Sequence, residues 1–175
     1  MSGSERFTFR LIGPEYIDTL CDIQDEAFAL LEDDQWLRRN SREMLDSCLR
    51  APHRTIGVFE GEEMAAFAVL YIAGESEENL GRKMGLEGED ILSTANFKLV
   101  IVRPKFRGCV LQRTLTLRVE EMAAEMGFRR VCSSVSPYNR YSAANFEAMG
   151  YRAAGHAVLY GGLERTIFCK ELDRK

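Results

Sequence analysis

Residues 99–113 read Leu-Val-Ile-Val-Arg-Pro-Lys-Phe-Arg-Gly-Cys-Val-Leu-Gln-Arg. A β-branched apolar run enters a short basic turn, and the turn opens directly into a helix-forming segment. The first backbone N–H groups of such a helix have no intrahelical partners, and the positive end of the helix dipole lies at the turn. Arg107 and Arg113 add charge on either side, and Gly108 permits close backbone approach. Together these features form an anion site suited to a phosphate or pyrophosphate. The plainer alternative is an ordinary strand-to-helix connection with surface arginines.

The elements that must position this turn follow from periodicity and punctuation. Residues 7–11 alternate apolar and polar and read as a first strand; Gly13-Pro14 ends it. From 16 to 31, Ile17, Leu20, Ile23, Ala27, Leu30 and Leu31 keep helical spacing. An acidic turn, Glu32-Asp33-Asp34, follows, with Trp36 beyond it. Ser41 then caps a short second helix. Residues 54–60 and 64–72 form a hairpin, and 74–93 is a polar excursion with a helical turn around 78–84. A loop this long inside a domain is usually functional or mobile.

Residues 96–103 are the strand that feeds the basic turn. The next helix shows Leu111, Leu115, Val119, Met122, Ala123 and Met126 on one face, a stripe read as core packing, and ends at Gly127. A strand at 130–135 follows, then a helix capped by Ser136 and ending near Gly150. A hairpin of 151–160 and 165–172 turns at Gly161-Gly162. The expectation is one α/β domain spanning 1–175, with a mixed, strongly twisted sheet flanked by helices on both faces.

Composition narrows the partners. A net charge of −4 with a pI near 5.4 argues against nucleic acid, which needs a basic face. The acidic balance leaves room for a cationic substrate, although solvation of the surface is its commoner use. Five cysteines without C-x-x-C spacing exclude a zinc-ribbon pattern and point to a reducing, cytoplasmic setting. Cys109, near the helix start and Arg107, is the one whose thiolate would be favoured. No metal set, signal peptide or membrane-length apolar run is present in the sequence. Neither a P-loop nor a dinucleotide G-x-G-x-x-G pattern occurs.

Val102, Pro104, Arg107 and Gly108 resemble the acyl-CoA-binding motif of the GNAT N-acetyltransferases, Val-x-Pro-x-x-(Arg/Gln)-x-x-Gly-x-(Gly/Ala). Residues 107–112, Arg-Gly-Cys-Val-Leu-Gln, are similar to an Arg-Gly-x-Gly-Leu-Gln branch of that family. Val110 stands in place of a glycine. Downstream, residues 139–151 resemble the family's next element, Asn-x-x-(Ala/Ser)-x-x-x-(Tyr/Phe)-x-x-x-Gly-(Phe/Tyr). The resemblance covers about 54–172 well in element order.

The resemblance implies acetyl-CoA as acyl donor, no metal, and an amine acceptor, either a small molecule or a protein amine. It also implies that pantetheine lies along Val100, Ile101 and Val102 like an added strand, bonded by main-chain groups of Val100 and Val102. The pyrophosphate would meet the turn at Arg107, Gly108, Cys109, Val110, Leu111, Gln112 and Arg113. Asn139, Ser142 and Phe146 would flank the pantetheine arm, Asn139 through its side-chain amide; a helix cap is the alternative use of Asn139. Phe146 occupies the position where many members carry a tyrosine acid, so Tyr141 or Tyr138 is expected to supply that proton. Glu32, Asp33, Asp34, Glu75 and His156 are the candidate bases, each more often a solvating residue. Trp36, Phe67, Tyr71 and Tyr160 are candidates for an aromatic acceptor pocket. A homodimer is the family-derived expectation.

Two functions follow: an acetyl-CoA-dependent N-acyltransferase working through a ternary complex, or a non-catalytic acyl-CoA sensor on the same fold. Val110→Gly is expected to tighten CoA binding and to cost up to ~1 kcal/mol of helix stability.

Overall fold

The apolar hairpin at the centre of the chain organises the sheet. In the computed structural model, which describes residues 6–31 and 37–173, β2 (Arg54–Glu60) and β3 (Glu63–Tyr71) are buried over nearly their whole length. β1 (Thr8–Leu11) pairs outside β2, and β4 (Thr94–Val102) outside β3. β5 (Arg130–Val135), β6 (Arg152–Leu159) and β7 (Leu163–Glu171) complete seven strands in the order β1-β2-β3-β4-β5-β7-β6. Every adjacent pair is antiparallel except β4–β5, which is parallel. The expected mixed sheet, with helices on both faces, is the observed architecture.

One face carries α1 (Ile17–Ala29) and α2 (Arg42–Cys48), packed through Leu20, Ile23, Ala27, Leu45 and Cys48 against Phe67, Val69, Leu99 and Ile101. Ser41 caps α2 as expected, its hydroxyl accepting from the Met44 N–H at 3.1 Å. The other face carries α4 (Leu111–Glu125), with Leu111, Leu115, Val119 and Ala123 buried against Ala66, Ala68, Phe97 and Val131. Met126, assigned to that stripe from sequence, is exposed instead, since it lies beyond the last helical turn. α5 (Arg140–Ala148) covers the same face through Phe146.

The 74–93 excursion is tied down rather than loose. It contains a 3₁₀ turn, Leu80–Met84, and a short helix, α3 (Glu89–Leu92), which the sequence reading lacks. The Asn79 side chain is fully buried; it donates to the carbonyls of Gly74 and Ile91 and accepts from the Gly81 N–H. Asn96 in β4 accepts from the Leu80 N–H and donates to the Glu78 carbonyl. Two amide side chains thus satisfy backbone groups that a buried loop otherwise leaves open.

Candidate functional site

A break in the sheet makes the site. β4 and β5 pair only from Thr94–Arg130 to Asn96–Cys132. Against β3, Leu70 faces Phe97 while the preceding Val69 faces Leu99, so Lys98 is an extra residue, a β-bulge. A bulge bends its strand and sharpens its twist. Just past the last β5 pairing, this one carries β4 away from its neighbour. The Ser133 hydroxyl caps the Phe97 carbonyl at 2.9 Å, and beyond it the β4 edge opens into a cleft of about 710 Å³.

At the end of β4, Arg103 anchors the chain: its Nε donates to the Met64 carbonyl and its Nη1 to Glu26 at 2.6 Å. A 3₁₀ turn, Pro104–Phe106, follows, and Phe106 is buried against Phe7. Gly108 then takes φ +83°, a left-handed conformation that glycine adopts freely. Val110 is the N-cap of α4 at φ +60° and ψ +18°. The first intrahelical bond recorded there runs from the Thr114 N–H to the Val110 carbonyl, and no side chain caps the helix. The N–H groups of Leu111, Gln112 and Arg113 therefore have no partner among the described residues. Arg107 and Arg113 line the same mouth, and the first helical turn holds no carboxylate. Such an end is built for an anion.

Of the residues singled out from sequence, Val100, Ile101, Val102, Arg107, Gly108, Val110, Leu111, Gln112, Arg113, Asn139, Tyr141, Ser142 and Phe146 all line this one cleft. Cys109 does not; its sulfur accepts from the Arg6 guanidinium at 3.7 Å. Tyr138 also lies outside the lining, with its hydroxyl donating to Glu164 at 2.8 Å. Tyr141 is 86 % exposed at the cleft. Asn139 caps α5, its side-chain oxygen accepting from the Ser142 N–H at 3.2 Å. Ser136, expected in that role, instead accepts from the Tyr138 N–H in the preceding turn. Phe146 is buried in an aromatic group, edge-on to Phe97 and Tyr151 and stacked on Phe168.

The candidate bases fare differently. Glu75 and His156 are both exposed and do not line the cleft. Glu32, Asp33 and Asp34 lie outside the described residues, as does Trp36. Phe67 is fully buried core, and Tyr71 stacks on His53 at 3.9 Å between ring centres. His53 has a packing role: its Nδ1 accepts from the Ile72 N–H, and burial, helped by Lys98, holds its imidazolium below the usual histidine range.

Lys98, which from sequence is only a strand position lacking an acidic base, lines the cleft, and the bulge that places it there leaves no local signature. Burial, and secondarily the Arg38 guanidinium, hold its ammonium below the usual lysine range.

Val110 corrects an expectation. The position is the N-cap and not the helix interior, and a β-branched residue at positive φ is strained. The left-handed conformation costs a non-glycine residue roughly 1–2 kcal/mol, partly offset by the ~0.4–1 kcal/mol that glycine adds to unfolded-chain entropy. Val110→Gly should therefore raise stability by about 0.5–1 kcal/mol rather than lower it. Its side chain, 63 % exposed at the cleft mouth, should leave CoA binding equal or tighter when removed. Thermal melts with and without acetyl-CoA check both; a lower melting temperature would mean that the valine packs usefully.

Residues 17–151 match the sequence model of the Acetyltransferase (GNAT) family. Among solved structures, the chain is similar to the ribosomal-protein-S18-alanine N-acetyltransferase of Escherichia coli (TM-score 0.73, 16% identity, covering 97% of this chain and 96% of that one). It is similar to yncA of Salmonella typhimurium, a putative acetyltransferase seen with acetyl-CoA (0.71, 16%, 98% and 96%). The PaiA N-acetyltransferase of Thermoplasma acidophilum, solved with coenzyme A, is also similar (0.68, 17%, 98% and 99%). No curated protein gives a significant match.

Proposed function

Because the chain belongs to the GNAT acetyltransferase family, we propose that it is an acetyl-CoA-dependent N-acyltransferase, moving the acetyl group to an amine by direct attack in a ternary complex. The observation that carries this reading is the meeting, in one cleft, of an uncapped helix N-terminus and an open strand edge. The first fits a pyrophosphate. The second offers unpaired backbone donors and acceptors to an amide-bearing arm laid beside Val100 and Val102. Relatives seen with acetyl-CoA and CoA support the same choice of donor.

Acetyl-CoA supplies the thioester. The amine nitrogen attacks its carbonyl carbon, and a backbone N–H on the β4 edge stabilises the oxyanion as charge develops. The nitrogen sheds its extra proton to solvent, and collapse breaks the C–S bond and releases the thiolate, which takes a proton from Tyr141 or solvent. Tyr138 is the weaker choice because its hydroxyl already serves Glu164. A thiol of pKa near ~8.5 needs little help to leave, so an exposed Tyr141 suffices. The attacking amine, with an ordinary pKa near ~10, must arrive deprotonated or lose its proton in the cleft. Among the described residues lining the cleft there is no carboxylate or imidazole.

A non-catalytic acyl-CoA sensor is the second reading, favoured by Phe146, which packs in an aromatic cluster and carries no hydroxyl. Calorimetry with acetyl-CoA should give submillimolar binding, and an amine screen should give amine-dependent release of CoA thiol. Binding without release by any amine supports the sensor; absence of binding overturns both readings.

A further inference from the structure

Beside the cleft, the face bearing α1 and α2 carries three cations, and among the described residues the carboxylate that stands near them is that of Glu78. Arg165 in β7 is 2 % exposed. Its Nη1 donates to the Glu164 carbonyl, but its Nη2 is buried with no hydrogen-bond partner among the described residues. Arg38 lies over the Tyr160 ring at 3.9 Å from its centre. Its Nη1 is also buried without a hydrogen-bond partner, and the Glu78 carboxylate stands off at 3.9 Å. Lys98, on the floor of the cleft, is the third positive group, its Nζ 4.9 Å from the Tyr71 ring centre.

Tyr160 ties these groups to the cleft. Its hydroxyl is 3.0 Å from the hydroxyl of Ser134, a lining residue. Strand pairing sets Ile167 opposite Ser134 and Cys169 opposite Cys132, so Arg165 shares their face of the sheet. Arg38 is held in place from the other side. Gln24 of α1 accepts from the Asn40 N–H and donates to the Asn40 carbonyl, both at 2.9 Å, and neighbouring Leu37 lines the cleft.

Burying an arginine with an unpaired N–H is costly unless a partner arrives. Two such atoms, one on a guanidinium over Tyr160 and one on the sheet face of Ser134, which bonds that tyrosine, make a poor structural device and a good receptor. A planar, two-oxygen anion matches guanidinium donors better than a neutral or cationic group does. The protein's net charge of −4 shows that this positive cluster is local and does not reflect composition.

We propose that Arg165 and Arg38, with Lys98 beside them, form an acceptor subsite for a carboxylate, so that the amine acetylated belongs to an amino-acid-like molecule. The proposal rests on the acetyltransferase reading above. The oxygens of the acceptor's carboxylate take the unbonded Nη2 of Arg165 and displace Glu78 from Nη1 of Arg38, which turns its amine toward the β4 edge.

The test is CoA-thiol release with saturating acetyl-CoA and a panel of L-amino acids, their carboxamides and 1,4-diaminobutane. The expected result is at least tenfold higher kcat/KM for the best acid than for its carboxamide. Arg38→Gln should narrow that ratio at least tenfold, chiefly through the KM of the acid. Arg165→Lys, which keeps the charge but not the fork, should narrow it too, and stands in for Arg165→Gln if that variant does not fold. Carboxamides or the diamine reacting as well as the acids would overturn the proposal, as would an equal loss on all acceptors in Arg38→Gln. If nothing is turned over, saturation-transfer NMR of the same panel with CoA present decides: acids binding no better than carboxamides overturns the subsite. Failure of the acetyltransferase reading shows separately, as absent acetyl-CoA binding in calorimetry.

Discussion

Gly108→Asp should weaken acetyl-CoA binding by about 10²-fold. At φ +83° a Cβ here meets open space, so the substitution collides with nothing. It acts through charge. A carboxylate would sit at the uncapped start of α4, between Arg107 and Arg113, where it takes the field meant for the pyrophosphate and repels that group. Helix-dipole effects reach ~2 kcal/mol in favourable geometry, and like-charge contact adds to this, with each 1.4 kcal/mol worth about tenfold. Gly108→Asn separates the causes, because asparagine tolerates the left-handed backbone and carries no charge. Calorimetry on the three proteins should find Asn within a few-fold of the parent and Asp far weaker. Equal losses would make backbone freedom, not charge, the reason for the glycine. An unchanged Asp variant would mean that the phosphates bind elsewhere.

That turn was legible from sequence because everything it needs is local: an apolar strand, Pro104, Arg107, Gly108 and a helical stripe follow one another within fifteen residues. The same holds for the 54–60 and 130–135 strands and for the Ser41 cap, where short-range pattern and final structure agree. What stayed hidden depends on distant partners. The bulge at Lys98 exists only in the register of β4 against β3, and it sets where the cleft opens. Arg38 and Arg165 are 127 positions apart and read as ordinary charges until the Tyr160 ring and the register of β7 against β5 place them beside one cleft. Asn79 and Asn96 read as loop and strand polarity until their mutual role in fixing the excursion is seen. Val110 differs for a subtler reason: from sequence its residue type reads as helix interior, whereas it stands one residue before the helix.

The position of the anion site also depends on an ion pair outside the cleft lining. Glu120, halfway along α4, is buried between two partners: the Lys170 ammonium of β7 at 2.6 Å and the Tyr151 hydroxyl at 3.2 Å. The same ammonium donates to the Met149 carbonyl at the end of α5. One cation thus joins α4, β7 and α5, and α4 and α5 both line the cleft. Lys170→Met leaves the buried carboxylate without its counter-charge and should cost about 3–5 kcal/mol. For a chain of this size that lowers the melting temperature by roughly 10 °C or more. Lys170→Met with Glu120→Met should recover most of the loss, since apolar groups of similar volume replace buried ion pairs with little penalty. The Tyr151 hydroxyl, whose proton burial already makes harder to remove, then loses its acceptor and keeps the double variant somewhat below the parent. Denaturation of the three proteins at neutral pH measures each step. If the single variant melts within a degree or two of the parent at neutral pH, water reaches Glu120 and the pair does not hold α4. If it melts far lower yet binds acetyl-CoA normally when kept cold, the pair stabilises the fold while packing around Leu111 and Leu115 alone aims the helix at the phosphates.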